Sequence, residues 1–177
     1  EASYRQAITL KPDYAIAHNN LGVILQELGK LNEAEVNYRK AIALVPDYAE
    51  AYNNLGVILK IQGNLKDAEA SYRKAIALIP NFTDAHNNLG VILQGLGKLE
   101  EAEVSNRKAI ALKPGYAEAH YNLGITLKVQ GRLEEAEESY RKAIALKPDY
   151  AEAHNNLGVT LKVQGRLEEA EESYRKA

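Results

Sequence analysis

The chain has 177 residues, with 22 Lys+Arg against 24 Asp+Glu and a formal net charge of −2, a balance that argues against a strongly basic nucleic-acid binder or a polybasic membrane-surface protein. Cysteine is absent, which removes disulfides, thiol nucleophiles, zinc–thiolate sites and iron–sulfur ligation. No apolar run approaches the roughly 20 residues of a membrane helix and nothing has the pattern of a signal peptide, so a cytoplasmic chain with no membrane partner is expected; with no methionine even at position 1, it is expected to be a fragment or a processed product.

In chain order, residues 1–11 are predicted to form a lone helix that ends at Pro12. From there the tripeptide Asn-Leu-Gly recurs every 34 residues, at Asn20-Leu21-Gly22, Asn54-Leu55-Gly56, Asn88-Leu89-Gly90, Asn122-Leu123-Gly124 and Asn156-Leu157-Gly158. Pro12, Pro46, Pro80, Pro114 and Pro148 keep the same step, as do Gly29, Gly63, Gly97, Gly131 and Gly165. A fixed period of this size is the mark of stacked repeats. The expected organisation is one array: a half repeat 1–14, full repeats 15–48, 49–82, 83–116 and 117–150, and an incomplete repeat 151–177, with no linker between them. Residues 117–143 and 151–177 differ at only two positions, Tyr121/Asn155 and Ile125/Val159.

Each full repeat is predicted to hold two helices of about 13 residues, roughly 20 Å long at 1.5 Å rise per residue. In 49–82 the first carries an apolar stripe at Ala51, Leu55, Ile58 and Leu59, the i, i+4, i+7, i+8 spacing of one helix face. Asp47…Glu50 and Asp149…Glu152 have the spacing of capping boxes at first-helix starts. Gly63 falls where a left-handed residue must end the first helix. The second helix carries Leu65, Ala68, Tyr72, Ala75, Ile76 and Leu78, and Pro80 stops it, because proline lacks the N–H and clashes with the preceding turn. Gly56, Ala68 and Ala75 leave room for close backbone approach, with Leu55, Leu59 and Tyr72 filling the gaps. Such a hairpin cannot bury its apolar face alone and must stack on its neighbours. Glu35→Arg39, Glu69→Arg73, Glu137→Arg141 and Glu171→Arg175 form i, i+4 pairs on a solvated face. The repeat 83–116 departs from the others at Gly95, Asn106 and Gly115, and is expected to be the soft point of the array.

Gathered over the repeats, the pattern A-x-A-[HY]-x-N-L-G-x-x-L-x-x-x-G-x-L-x-x-A-x-x-x-Y-x-x-A-I-x-L-x-P closely resembles the tetratricopeptide repeat (TPR). Two positions depart from the family: its fourth-position aromatic is His18, Tyr52, His86 and His120, and its eleventh position is leucine. The resemblance implies an all-α fold, a right-handed α-solenoid or superhelix of antiparallel helix pairs, whose first helices line a concave face that binds peptides or proteins.

The asparagines are the most informative candidates. Asparagine is a poor mid-helix residue because its amide competes with the backbone. Yet Asn19-Asn20, Asn53-Asn54, Asn87-Asn88 and Asn155-Asn156 recur mid-helix, with Tyr121-Asn122 the exception. Local rules are broken mostly at functional positions. An amide both donates and accepts, so two amide ladders could hold an extended peptide backbone without reading its sequence. The second asparagine row, Asn20, Asn54, Asn88, Asn122 and Asn156, is similar to the asparagine ladder of the TPR arrays in O-linked N-acetylglucosamine transferases. The first row, Asn19, Asn53, Asn87 and Asn155, is at a position that faces the groove in the family. Val57 and Val91, then Lys60 and Lys128, continue the groove, which grades from acidic (Glu50, Asp84, Glu118, Glu152) through amide and apolar to basic.

The other repeated side chains point to packing. His18, His86, His120 and His154 share one repeat position and stand in for the family aromatic, not for metal ligands. Tyr14, Tyr48, Phe82, Tyr116 and Tyr150 stand at repeat junctions, where aromatics pack. No nucleophile–base set, cofactor motif or phosphate loop is visible, so no enzyme activity, cofactor or metal is expected. The function that follows is a protein–protein interaction scaffold binding an extended peptide or partner protein in the concave groove, with no nucleic-acid partner. Two alternatives remain open: a substrate-presenting array of a larger enzyme such as a glycosyltransferase, and a structural module that self-associates end to end through its uncapped terminal helices.

Overall fold

The computed structural model describes all of residues 1–177 as eleven α-helices with no strand: α1 (Ala2–Leu10), α2 (Ala15–Glu27), α3 (Leu31–Leu44), α4 (Ala49–Ile61), α5 (Leu65–Leu78), α6 (Thr83–Gly95), α7 (Leu99–Leu112), α8 (Ala117–Val129), α9 (Leu133–Leu146), α10 (Ala151–Val163) and α11 (Leu167–Arg175). First helices have 13 residues and complete second helices 14. The architecture is an all-α solenoid of repeated helix pairs. The chain divides into two compact units, Glu1–Asn88 and Leu89–Ala177. Within the first unit α1 to α5 each pack on the next helix, and within the second α7 to α11 do the same. First helices of adjacent repeats also touch, α2 with α4 and α8 with α10, and contact between neighbouring repeats alone is how a stacked-repeat protein builds a core.

The helix ends follow from single residues. Gly63 has φ +80°, a conformation that costs glycine nothing. There the N–H of Gly63 bonds to Lys60 O at 3.0 Å and that of Asn64 to Leu59 O at 2.8 Å, which satisfies the terminal carbonyls of α4. Second helices end for a different reason. Ile79 is extended, with φ −127° and ψ 92°, because the residue before a proline is driven out of the helical region. The capping boxes expected at Asp47…Glu50 and Asp149…Glu152 do not form. The N-cap residues are Tyr48 and Tyr150, one position later, with no side-chain cap bond. The turn after each proline sets the aspartate one residue too early; Tyr150 O instead accepts the N–H groups of Ala153 and His154.

The helix pairs close on a notch at the glycine of Asn-Leu-Gly. A methyl group at Gly22 would lie 2.6 Å from the Tyr38 ring, and one at Gly124 2.6 Å from the Tyr140 ring. Tyr38, Tyr72 and Tyr140 are fully buried. Burial pushes the Tyr38 phenol up to about 12, and its hydroxyl donates to Gln26 Oε1 at 3.1 Å. The second unit gathers Leu123, Leu127, Tyr140, Leu157 and Leu161 into one apolar cluster. In the repeat 83–116 a methyl at Gly90 would strike Asn106 Oδ1 instead of a ring. Asn106 is fully buried. Its Nδ2 donates to Thr126 Oγ1 at 3.3 Å, and its Oδ1 has no hydrogen-bond partner.

Candidate functional site

The two asparagines of each pair do different work. In the first unit, Asn19, Asn53 and Asn87 are buried, 6%, 9% and 7% exposed, while Asn20, Asn54 and Asn88 are half-buried. Asn54 Nδ2 donates to Asn19 Oδ1 at 3.1 Å, and Asn88 Nδ2 donates to Asn53 Oδ1 at 3.2 Å. Each bond therefore steps 35 residues, from the second asparagine of one repeat to the first of the repeat before. A net contribution of about 0.5–1.5 kcal/mol per bond fits a neutral amide pair. Asn19 and Asn53, expected with Asn87 to face the groove, are thus acceptors between repeats. Asn54 and Asn88 sit in fixed orientations at the surface, each with a carbonyl oxygen and a second N–H beyond the bond it makes. Val57 and Lys60, half-buried, continue this face along α4.

The second unit carries a variant of the same ladder. Tyr121 replaces the first asparagine, and Asn156 Nδ2 donates to its hydroxyl at 3.0 Å. The Tyr121 ring lies 4.9 Å from Tyr150 and 6.0 Å from Tyr140, centroid to centroid. Burial pushes the Tyr121 phenol upward. Lys128 donates to Asn156 Oδ1 at 2.7 Å, and desolvation lowers its ammonium pKa. Asn122 and Val91 are half-buried, and Asn155 is exposed.

The recurring histidines and serines bond to backbone carbonyls a few residues earlier in the chain. The Nε2 atoms of His18, His86, His120 and His154 lie 2.9–3.1 Å from the carbonyls of Pro12, Pro80, Pro114 and Pro148. Each imidazole thus donates to the turn that enters its own helix, six residues back. No three side chains of metal-ligating type come together. Ser71 and Ser139 donate to Asp67 O and Glu135 O one turn earlier.

The outer surface holds features that the i, i+4 reading missed. Arg132 reaches Glu103 and Glu135, both at 2.6 Å, and Arg166 reaches Glu137 and Glu169, both at 2.6 Å. Each guanidinium therefore joins two second helices, and together they hold the Glu135 and Glu169 carboxyls below the usual carboxylate range. Between α7 and α9 lies an outward-facing cleft of about 340 Å³, floored by Leu123, Leu127 and His120. The signal in the sequence was an arginine three residues before a glutamate, at a position held by Lys30, Asn64 and Lys98 in other repeats.

Family models described as "Tetratricopeptide repeat" match residues 13–81, 83–116 and 106–138, and one described as "TPR repeat" matches 127–165. No curated protein matches the chain by sequence. Among solved structures, the chain is similar to YrrB, described as "a TPR protein with an unusual peptide-binding site", at 27% identity and TM-score 0.79, over 98% of this chain and 89% of that one. It is similar to MamA at 28% identity and TM-score 0.79, over 88% and 91%. It is also similar to PilW, described as a "widely conserved type IV pilus biogenesis factor", at 26% identity and TM-score 0.89, over 97% and 80%. No helix is long and apolar enough to cross a membrane.

Proposed function

The chain belongs to the tetratricopeptide-repeat family, a family of protein-interaction scaffolds, and from that premise we propose that it works by holding an extended peptide segment of a partner against its first helices, without catalysing a reaction. The observation that carries this reading is the half-exposed asparagine row. Asn54 and Asn88 each donate one N–H to the repeat before, so their side chains are fixed in advance and lose little freedom when a ligand arrives. Each presents a carbonyl and a second N–H, the complement of a peptide group. Extended peptides expose such groups along their length whatever their side chains, so affinity comes from the backbone and selectivity from what surrounds the row. The peptide-binding site named for YrrB supports a peptide as the ligand class.

The test is selection of random peptides displayed on phage against the intact chain, followed by titration of the selected peptides with the wild type and with Asn54→Ala plus Asn88→Ala. Each lost ligand bond is expected to cost about 0.5–1.5 kcal/mol, so the double variant should bind roughly 5- to 150-fold more weakly. Circular dichroism must show the helices intact. Failure to enrich any peptide over an unrelated helical protein, or equal affinity in the double variant, would remove the row from the binding site.

A further inference from the structure

On the groove reading just given, the second unit carries enough charge and ring chemistry to say what its ligand brings. Glu118 and Glu152 occupy the same repeat position, in the first turns of α8 and α10. Both are exposed, and neither is within ion-pair distance of any lysine, arginine or histidine. The contrast lies on the opposite surface of the same unit. There Glu103, Glu135, Glu137 and Glu169 are each shared between two arginines. Those four outer acids are compensated from within, and the Glu118–Glu152 pair is not.

Tyr121 adds the second element. It stands where other repeats have Asn19, Asn53, Asn87 and Asn155. Its ring is held by Tyr150 at 4.9 Å, and its hydroxyl accepts the Asn156 N–H at 3.0 Å. The rings at this edge already attract ammonium groups. Lys147 Nζ lies 4.6 Å from the Tyr150 centroid, and Lys113 Nζ lies 4.7 Å from that of Tyr116. Lys147 occupies Tyr150, whereas Tyr121 is half-exposed and carries no cation. At the far end of the same helix face, Lys128 is tied to Asn156 Oδ1 at 2.7 Å, so its ammonium is held away from the acidic edge.

We propose that the face formed by α8 and α10 selects a basic peptide, taking an arginine or lysine side chain of the ligand between Glu118 and Glu152 and against the Tyr121 ring. A guanidinium or ammonium there meets two carboxylates and a π-face together. The field of the acids reaches the rings: Tyr150 is pushed up to about 12, first by its burial and then by Glu118, Tyr121 and Glu152. An aspartate or glutamate of a ligand would meet repulsion at the same place.

The experiment uses three fluorescent decapeptides of Gly and Ser, carrying three arginines, three glutamates or no charge, titrated by anisotropy against the intact chain. The arginine peptide should bind most tightly. Glu118→Gln plus Glu152→Gln should weaken it about fivefold, as expected for two exposed ion pairs. Tyr121→Asn, which installs the residue other repeats carry, should weaken it about threefold with the helical content by circular dichroism unchanged at the titration temperature. Glu134→Gln plus Glu168→Gln removes the same net charge from the second helices and should leave affinity unchanged. Equal weakening by the two glutamate pairs would mean general attraction to an acidic protein and would overturn the proposal, as would tighter binding of the glutamate peptide. If the phage-selected peptides bind through Asn54 and Asn88 but show no excess of arginine or lysine and ignore Glu118 and Glu152, this inference fails while the groove reading stands. If no peptide of either kind binds, both fail.

Discussion

Two notches in the second unit have the same backbone and different contents. At Gly124 the space is taken by the Tyr140 ring, and at Gly90 by the Asn106 amide. A ring fills such a space through apolar burial and many weak dispersion contacts, and needs only the right shape. An amide must also replace the water it has lost, and it does so only in part. Asn106 Nδ2 finds Thr126 at 3.3 Å, while Oδ1 finds nothing. Tyr140 is not free of this difficulty, since its hydroxyl is also buried without a partner. The tyrosine, however, has a ring's worth of apolar contact to set against one orphan atom. The comparison teaches that the notch tolerates polarity and is stabilised by shape.

The sharpest way to break the comparison is to empty the better-filled notch. Tyr140→Ala should destabilise the chain by about 3–5 kcal/mol, the cost of truncating a fully buried aromatic, measured as a fall in the denaturant midpoint. Filling the poorer notch should act in the opposite direction. Asn106→Tyr exchanges one buried unsatisfied oxygen for a hydroxyl like that of Tyr140, adds the apolar burial of a ring, about 1.5–3 kcal/mol, and places beside Thr126 the side chain that Tyr140 already places in the neighbouring repeat. The midpoint should rise, and amide exchange across α7 should slow to that of α9. A smaller effect is expected from Thr126→Val. It should cost about 1 kcal/mol with Asn106 present, through loss of the Nδ2 acceptor, and nothing with Asn106→Tyr. A double-mutant cycle measures that coupling, and additivity of the two changes would show that the bond contributes nothing.

The smallest effect concerns the guanidinium clamps outside these notches. Arg132 joins the helix of Asn106 to the helix of Tyr140 through Glu103 and Glu135. The Glu135 and Glu169 carboxyls are held low by Arg132 and Arg166. A carboxylate depressed in the folded state contributes stability above its unfolded pKa, about 4, and that stability is lost as pH falls through the folded value. Thermal melts from pH 7 down to about 3 should therefore lose more stability in the wild type than in Arg132→Gln plus Arg166→Gln. High salt should narrow the difference, because exposed pairs are screened.

Most of the fold was legible because the repeat multiplied each signal. Gly63 and Pro80 end their helices by mechanisms that a single residue carries, and the structure agrees at both. Gly56 against Tyr72 was legible too, since a missing side chain and a large one shared a period. The capping boxes failed because Asp47 has the right spacing but falls in the turn left by Pro46, and spacing does not reveal that offset. The asparagine pairs were conspicuous as mid-helix amides, but periodicity cannot say which of two adjacent residues is covered by the next repeat. That depends on how α4 leans on α2. The Thr126 partner of Asn106 was hidden for a similar reason: it lies 20 residues away on the following helix, and Thr160 occupies the same repeat position beside a tyrosine.

The 35-residue step of the amide bonds has a consequence for how such a chain changes its length. Every junction of this kind in the first unit uses a donor at one fixed repeat position and an acceptor at another. A spare 34-residue segment inserted in frame would present both a donor to the segment before and an acceptor to the segment after, and deletion of a segment would rejoin a matching pair. Gain or loss of whole repeats therefore leaves no amide without its counterpart. Register is kept by the hydrogen-bond grammar itself, so the gene could lengthen or shorten the binding surface in single steps without first mending the joints.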